Sequence, residues 1–310
     1  MPENKKTNLI CILGHTAGGK TAFAAHLAHK LDGEIISADS RQVYRHMNIG
    51  TGKDLEDYIV AGRTIPCHLI DIADPGYEYN VFEYQKDFLQ VFHAIRNRGK
   101  IPVLCGGTGL YIEAVLKAYK LINVPHDTEL RERLKTKDHD ELVERLKSFK
   151  TLHNVTDTEN RKRLIRAIEI EEYYVKNPDL HTDYPEINST ILGIKFDRES
   201  RRKRITERLL KRLTEGMIEE VEGLLEKGLP EEKLLYYGLE YKFISLYIKG
   251  RLSYNEMVSK LNTAIHQFAK RQMTWFRGME RRGFNIHWID GHLPLEEKIK
   301  RGLEVIESEG

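Results

Sequence analysis

The sequence predicts an α/β fold in which a parallel sheet is flanked by helices and a helical domain is inserted between two of the strands. The first observation is Asn8–Thr21, an apolar run that gives way to glycines and ends in Lys-Thr. The second is the alternation of strand-like and helical patterns before residue 125, which is typical of parallel sheets with right-handed crossovers. The third is a change after that point to helical patterns without strands. Together they predict a sheet like that of the P-loop nucleoside-triphosphate hydrolases.

Composition limits the class of protein. A chain of 310 residues with 40% hydrophobic residues suits one large domain or two smaller ones. Lys and Arg number 49 against 47 Asp and Glu, so a nucleic-acid surface requires local clusters of cations. The N-terminal stretch is polar, and the sequence has no run of about 18 apolar residues. It therefore supports neither secretion nor a membrane-spanning helix. Three widely spaced cysteines predict reduced core residues and a cytoplasmic location.

The phosphate-binding pattern G-x-x-x-x-G-K-[ST] is met by Gly14, Gly19, Lys20 and Thr21. A strand-like run, Leu9–Leu13, precedes the pattern and a helical pattern follows it, which is the context that the motif requires. Backbone N–H groups of such a loop surround an anion, while Lys20 supplies a positive charge and Thr21 a hydroxyl for Mg²⁺. The alternative, a glycine-rich turn without a ligand, does not require Lys-Thr after the last glycine. We therefore predict a site for a nucleotide such as ATP or for another polyphosphate.

Asp39 is the first catalytic candidate. It follows a second strand-like run, Glu34–Ala38, and ligands of open α/β sheets gather at the carboxyl ends of strands. A turn or helix N-cap role suits Asp39 equally well, and spacing alone does not decide between the two roles. The next segment, 43–54, is predicted to be a surface loop beside the site.

Two further strands complete the predicted alternation. Cys67–Ile72 reads as the third strand, and Ile101–Cys105 reads as the fourth. The fourth strand opens into Gly106-Gly107-Thr108-Gly109 and a helix over 110–119. We assign 1–124 and 189–310 to the catalytic core with basic C-terminal helices, and 125–188 to the helical insertion, with a polar turn at 151–158.

Cations cluster in three helical segments. The insertion carries one cluster, which consists of Arg161, Lys162, Arg163 and Arg166. The segment after residue 197, predicted as one long helix, carries Arg198, Arg201, Arg202, Lys203, Arg204, Arg208, Lys211 and Arg212. The third cluster comprises Lys270, Arg271, Arg277, Arg281 and Arg282, with Trp275 and Phe276 among them. Such clusters suit phosphates or an RNA backbone, but solvated helix faces explain the charges and a core role explains the aromatics as well.

A phosphate loop by itself fits several classes of protein. A small-molecule kinase fits the first half of the chain, and an NTPase motor remains open because Asp71 is placed to act as a Mg²⁺ ligand. Neither class explains the helical insertion or the cationic helices.

The sequence resembles the tRNA dimethylallyltransferases, also called tRNA isopentenyltransferases, over nearly its whole length. The matching segments are Gly14–Thr21, Ser37–Lys53, His68–Pro75, Gly106–Tyr111, Arg163–Glu169, the pair Arg204 and Arg208, and Ala269–Gly278. Each segment alone is a weak signal, and their common order is specific. The family resemblance implies transfer of a dimethylallyl group from its diphosphate to the exocyclic N6 amine of the adenosine adjoining the tRNA anticodon.

The resemblance also implies roles for individual residues. Asp39 is expected to be the general base, assisted by Lys20, Thr21 and Thr108, and Thr21 is the expected ligand of Mg²⁺. The residues expected to bind the diphosphate are Gly14, His15, Thr16, Ala17, Gly18, Gly19, Lys20, Thr21, Arg204 and Arg208. The residues expected to contact the anticodon stem-loop are Asp39, Ser40, Arg41, Gln42, Thr108, Arg131, Lys162, Arg163, Leu164, Ile165 and Arg166. ATP has no catalytic role in this interpretation, and we expect a monomer.

The sequence departs from the family pattern at a few positions. His15 and Gly19 replace the usual Pro and Ser of the phosphate loop, and Cys67 replaces the first His of a Pro-His-His-Leu stretch. The segment Tyr236–Lys242 differs from the usual Gly-Tyr-[Arg/Lys]-[Gln/Glu]. Isopentenyltransferases that act on free adenylate share the loop and the aspartate but are shorter, so the insertion and the basic helices favour tRNA as the acceptor.

Overall fold

The computed structural model describes residues 6–149, 158, 160–178 and 184–309. The chain divides into two compact units. The first, called the sheet unit below, combines Met1–Tyr119 with Glu186–Gly310, and the second, the helical unit, is Lys120–Pro185. No helix within the described ranges is both long and apolar enough to cross a membrane.

A parallel sheet forms the centre of the sheet unit. Its strands are β1 Leu9–Gly14, β2 Gly33–Ala38, β5 Cys67–His68, β6 Ile101–Gly106, β7 Ser189–Lys195 and β8 Ile286–Asp290, while β3 Ile59–Val60 and β4 Arg63–Thr64 form a separate antiparallel pair. The six strands lie in the order β5-β2-β6-β1-β7-β8, and every neighbouring pair is parallel. The parallel sheet predicted from the sequence is confirmed. Because β2, β6 and β1 are adjacent, the loops that follow them meet at one edge.

Helices cover both faces of the sheet. The helices of the sheet unit are α1 Lys20–Lys30, α2 Val81–Asn97, α3 Gly109–Leu116, α7 Arg198–Thr214, α8 Met217–Glu226, α9 Glu231–Tyr237, α10 Leu239–Ile248, α11 Tyr254–Arg281 and α12 Leu295–Glu309, with a short 3₁₀ helix at Leu55–Tyr58. Alternate residues of β1 enter different apolar clusters, as strand geometry requires. One cluster contains Phe23 of α1 and Ile299 of α12, and the other contains Phe88 of α2 and Phe276 of α11.

Three local predictions need correction. The third strand ends at His68, because Leu69 and Asp71 have φ values of 61° and 55° and cannot continue an extended ladder. The segment 43–54 is not wholly a surface loop, since Val43, Tyr44 and Met47 are fully buried. The long helix predicted after residue 197 is divided into α7 and α8 at Gly216, whose φ is 98°.

The helical unit contains α4 Thr128–Lys135, α5 His139–Phe149 and α6 Arg161–Lys176. Leucines at helical spacing form its apolar core, among them Leu134, Leu142, Leu146 and Leu164. Asp127 caps α4 and Asn160 caps α6 through side-chain oxygens that accept backbone N–H bonds. Apart from Thr158, the predicted polar turn at 151–158 lies outside the described residues.

Candidate active site

The loops after β1, β2 and β6 surround a cavity of about 660 Å³ in the sheet unit. The lining residues are Thr16–Thr21, Asp39–Gln42, Gly50–Gly52, Asp54, Asp57, Tyr58, Cys105–Leu110, Arg208, Arg212, Leu235–Glu240, Lys242, Ile265, Phe268, Arg271, Gln272 and Trp275. The predicted phosphate loop, Asp39 and Thr108 therefore share one cavity, although they lie far apart in the sequence.

The phosphate loop leads directly into α1, whose first residue is Lys20. Gly19 precedes the helix with φ 73°, a left-handed conformation that glycine adopts without strain. Lys20 Nζ donates to His15 O at 2.9 Å, which holds the ammonium within the curve of the loop. Burial lowers the pKa of Lys20, because a low-dielectric site disfavours an unpaired charge. An anionic ligand in the loop would supply a negative charge to pair with the Lys20 ammonium.

Two arginines of α7 contact the same loop. Arg204 Nε donates to Ala17 O at 3.1 Å, and its guanidinium lies over the Phe196 ring at 4.7 Å from the centroid. Arg208 Nη2 donates to Thr16 Oγ1, and burial lowers the pKa of Arg208 to about 10. The structure thus brings together the two arginines and the loop, which are 187 and 192 positions apart in the sequence at these contacts.

Gly14 and His15 occupy a different place from the rest of the predicted loop, since neither lines the cavity. The His15 side chain is fully buried, its Nδ1 lies 2.7 Å from Thr16 O, and its ring meets the Phe196 ring edge-on. Burial lowers the pKa of His15 to about 4, so the imidazole is neutral near pH 7. His15 supports the shape of the loop from behind.

Asp39 begins a turn at the end of β2. Its Oδ1 accepts a bond from Arg41 N at 2.9 Å, while the residue also lines the cavity, so the turn role and the catalytic role are compatible. Thr108, which precedes α3, ties this turn to the loop after β6, because its Oγ1 accepts a bond from Ser40 N at 3.0 Å. Gln42 Nε2 donates to Gly52 O at 3.0 Å.

Gln272 is a residue of this site that sequence reasoning missed. Its Oε1 accepts a bond from Thr16 N and its Nε2 donates to Gly107 O, both at 2.9 Å. Only 7% of the residue is exposed, so the amide joins the phosphate loop to the loop after β6 away from water. Its position within the family-like segment Ala269–Gly278 was the one signal in the sequence.

Replacing Gln272 by leucine is expected to lower the rate of the reaction at this site by about 10–100-fold. Both backbone partners would lose their bond, and displacement of reacting groups by about 1 Å costs rates of this order. The matched control is Gln85→Leu. Gln85 is buried to a similar degree, but it donates to Ala114 O near the end of α3 and to Tyr119 O beyond it, neither of which lines the cavity. Steady-state kinetics and thermal unfolding of both variants check the prediction, which fails if their rates fall equally.

The segment 48–54 is held in place by α7 and α8. The Glu220 carboxylate accepts bonds from Asn48 N, Ile49 N and Gly50 N at 2.7, 2.8 and 3.0 Å. Arg212 donates to Asp54 at 2.9 Å. These contacts fix the wall of the cavity that holds Gln42, and no local pattern in the sequence indicated them.

Asp71, the Mg²⁺ ligand considered for an NTPase motor, is engaged elsewhere. Its Oδ1 accepts a bond from Lys53 Nζ, whose side chain is fully buried, and Asp71 does not line the cavity. Within the described residues no three His, Cys, Asp or Glu side chains are arranged to hold a metal ion. Thr21, whose hydroxyl is the expected metal ligand, does line the cavity.

The helical unit contains the remaining predicted RNA contacts. Lys162 and Arg163 are exposed at the start of α6, whereas Leu164 and Ile165 belong to the apolar core, so their side chains are unavailable to RNA. Arg131 donates to both oxygens of Glu169 at 2.9 and 2.8 Å. Arg166 donates to the same carboxylate and to Val124 O. These charges hold the pKa of Glu169 at about 2, well below its usual value, despite burial, which raises it.

The residues of the basic cluster in and after α11 also differ in their surroundings. Arg282, which follows the helix, donates from Nε and Nη2 to the buried Glu113 at 2.6 Å and has a structural role. Phe276 is fully buried, whereas Trp275 is 38% exposed and lines the cavity. Of the two aromatics that the sequence left undecided, Phe276 belongs to the core and Trp275 to the site.

Comparison with known proteins identifies the family of this chain. The sequence matches the IPP transferase family over residues 42–279 and the Isopentenyl transferase family over residues 7–65. It is 63% identical to tRNA dimethylallyltransferase 2 of Bacteroides fragilis, covering 94% of this chain and 95% of the relative. It is 61% identical to tRNA dimethylallyltransferase 1 of Parabacteroides distasonis, covering 98% and 99%. The crystal structure of tRNA delta(2)-isopentenylpyrophosphate transferase from Staphylococcus epidermidis superposes with a TM-score of 0.70 at 33% identity, covering 98% of this chain and 100% of that one. The chain therefore belongs to the IPP transferase family.

Proposed function

We propose that this protein is a tRNA dimethylallyltransferase that moves the dimethylallyl group of dimethylallyl diphosphate to the N6 amine of the adenosine adjoining the anticodon. One observation carries the proposal: a single cavity is lined by the phosphate loop with Lys20, by Arg208 of α7, and by a carboxylate, Asp39, on a neighbouring loop. The names of the relatives given above describe enzymes that act on tRNA. The helical unit is an addition that a kinase of small molecules does not need.

The donor end of the reaction is assigned to the phosphate loop. When the bond between the allylic carbon and the diphosphate breaks, negative charge grows on the leaving group, and Lys20, Arg204 and Arg208 are placed to stabilise it. The Thr21 hydroxyl would hold Mg²⁺, which supplies further positive charge toward the diphosphate when it is bound. Lys20 and Arg208 are partly buried, and the reduced contact with water strengthens their interaction with an anion.

The acceptor end is assigned to the loops after β2 and β6. The N6 nitrogen forms a bond to the allylic carbon as the diphosphate departs, and the proton lost from that nitrogen passes to the Asp39 carboxylate. Thr108 holds the Ser40 amide and so sets the turn that carries Asp39. Arg41 and Gln42 line the same wall and would contact the base, which must leave its stack to enter the cavity.

In the helical unit, Lys162 and Arg163 are the cations proposed to meet RNA phosphates. Arg163→Ala is expected to weaken tRNA binding and to shallow the slope of log K against log salt by roughly one unit or less, since one phosphate contact is lost. Arg131→Ala is the matched comparison. It leaves the buried Glu169 with fewer partners, so we expect a loss of about 1–3 kcal/mol in stability and little change in slope. Filter binding over a salt series and thermal unfolding test both variants. A slope unchanged by Arg163→Ala would place the RNA contact elsewhere.

The function itself is tested with radiolabelled dimethylallyl diphosphate and Mg²⁺, offered separately with tRNA, with AMP and with buffer alone. We expect label in tRNA carrying adenosine beside the anticodon and in neither control. Label in AMP would assign the protein to the free-adenylate isopentenyltransferases. Phosphate transfer from ATP to a small molecule, without label in tRNA, would assign it to the kinases. A tRNA substrate and three unpaired cysteines fit a cytoplasmic enzyme.

A further inference from the structure

We infer that Tyr236, Phe268 and Trp275, called the aromatic rim below, form a platform on which unpaired RNA bases beside the reacting adenosine stack. This inference rests on the proposed function, because it names how the acceptor RNA is held at the cavity. Each ring borders the cavity, and each residue is 38–41% exposed.

Exposed large apolar side chains are concentrated at this cavity rather than spread evenly over the surface. Eleven large apolar side chains are exposed in the part of the chain that the structure describes, and five of them line this one cavity. The five are Leu110, Leu235, Tyr236, Phe268 and Trp275. Exposed apolar side chains concentrated at one place mark a binding surface, since scattered ones are the usual case.

The helix α11 presents two of the rings on the face that borders the cavity. Ile265, Phe268, Gln272 and Trp275 follow a helical i, i+3, i+7, i+10 spacing, and all four line the cavity. Seven residues separate Phe268 from Trp275, which places their Cα atoms roughly 10 Å apart along the helix axis. Stacked bases repeat about every 3.4 Å, so this span suits a short single strand.

Trp275 lies directly beside the acceptor loop. A Cβ atom added at Gly109 would stand 2.3 Å from Trp275 Cδ1, so the indole rests against the glycine backbone. Gly109 follows Thr108, whose hydroxyl holds the turn of Asp39. A base stacked on Trp275 would therefore adjoin the place where the reacting base enters.

Cations accompany the rings. The Arg41 guanidinium lies over the Tyr236 ring at 5.1 Å, and the Arg271 guanidinium lies 6.0 Å from the centroid of Phe268. Alternation of aromatic faces with positive charge is the arrangement by which proteins hold single-stranded nucleic acid, where bases stack and phosphates pair with the cations. The buried members of the cavity wall, such as Ala17 and Tyr58, are better suited to the small allylic chain than an exposed, charged rim.

Intrinsic fluorescence tests the platform directly, because Trp275 and Trp288 are the two tryptophans of the chain. In the Trp288→Phe variant, Trp275 is the single reporter. An RNA hairpin with the anticodon-loop sequence is expected to quench its emission along the binding curve measured by anisotropy of labelled RNA. A fully paired duplex of equal length is expected to leave the emission unchanged. Binding of the hairpin without quenching overturns the platform alone, whereas no binding and no transfer overturn the proposed function with it.

Affinity measurements provide the second test. Trp275→Leu is expected to weaken hairpin binding roughly 5- to 100-fold, and Trp275→Phe much less, because a stacking face is retained. Neither change should alter the salt slope, whereas Arg271→Ala should shallow it. Tyr254→Leu, which removes an exposed aromatic outside the cavity, is the matched control and should bind normally. Equal affinities of Trp275→Leu and Trp275→Phe, or a raised KM for dimethylallyl diphosphate with unchanged RNA affinity, would overturn the platform and assign the rim to the allylic chain.

Discussion

Replacing Asp39 by asparagine is expected to lower the rate of dimethylallyl transfer by about 10²–10⁴-fold, the usual contribution of a general base. Asparagine keeps the Oδ1 atom that accepts the bond from Arg41 N, so the turn at the end of β2 is preserved. It lacks the carboxylate that would take the proton from the amine. The variant therefore separates the catalytic role of Asp39 from its role in the turn.

Single-turnover transfer to tRNA and equilibrium tRNA binding measure the two roles. Binding is expected to remain within about tenfold of the parent, since the loss falls on the chemical step. Asp39→Ala removes the turn contact as well and should be no faster than Asp39→Asn. Near-normal turnover of the asparagine variant would refute the assignment of Asp39 as the base.

Replacing Lys20 by methionine is expected to lower kcat/KM for dimethylallyl diphosphate by about 10²–10³-fold. Lys20 is a partly buried cation held within the curve of the phosphate loop, and one donor aimed at developing charge is worth this much. Methionine has a similar length and suits a partly buried position, so the loop should keep its shape. Arg208→Met is expected to act in the same direction, with the added loss of the contact to Thr16.

Two comparisons isolate this effect. Lys203→Met removes an α7 lysine whose side chain is 76% exposed, and it should leave donor kinetics unchanged. The salt dependence of tRNA binding should be the same for Lys20→Met and the parent, because Lys20 is assigned to the diphosphate and not to RNA. Equal losses in donor use and in tRNA affinity would mean that the division between the two binding surfaces is wrong.

Features that depend on neighbouring residues were predictable from the sequence. The phosphate loop is one run of eight residues, and the strand before it and the helix after it are marked by their own apolar patterns. The parallel sheet and its flanking helices therefore followed from local spacing. The position of Asp39 near that loop followed from a general rule about the carboxyl ends of parallel strands, whereas Thr108 was expected there only from the family resemblance. Membership of the family was likewise visible in the order of short segments.

Only the tertiary structure showed which of several chemically identical residues, such as the arginines, contact the site and which have a structural role. Arg204 and Arg208 reach the phosphate loop, whereas Arg131 and Arg282 are held by buried carboxylates, and sequence spacing does not distinguish these cases. Gln272 joins its partner Thr16 across 256 positions, and Glu220 joins Gly50 across 170. The aromatic rim and the early end of β5 have the same origin, because burial and backbone conformation at each position depend on segments that are distant in the chain and adjacent only after folding.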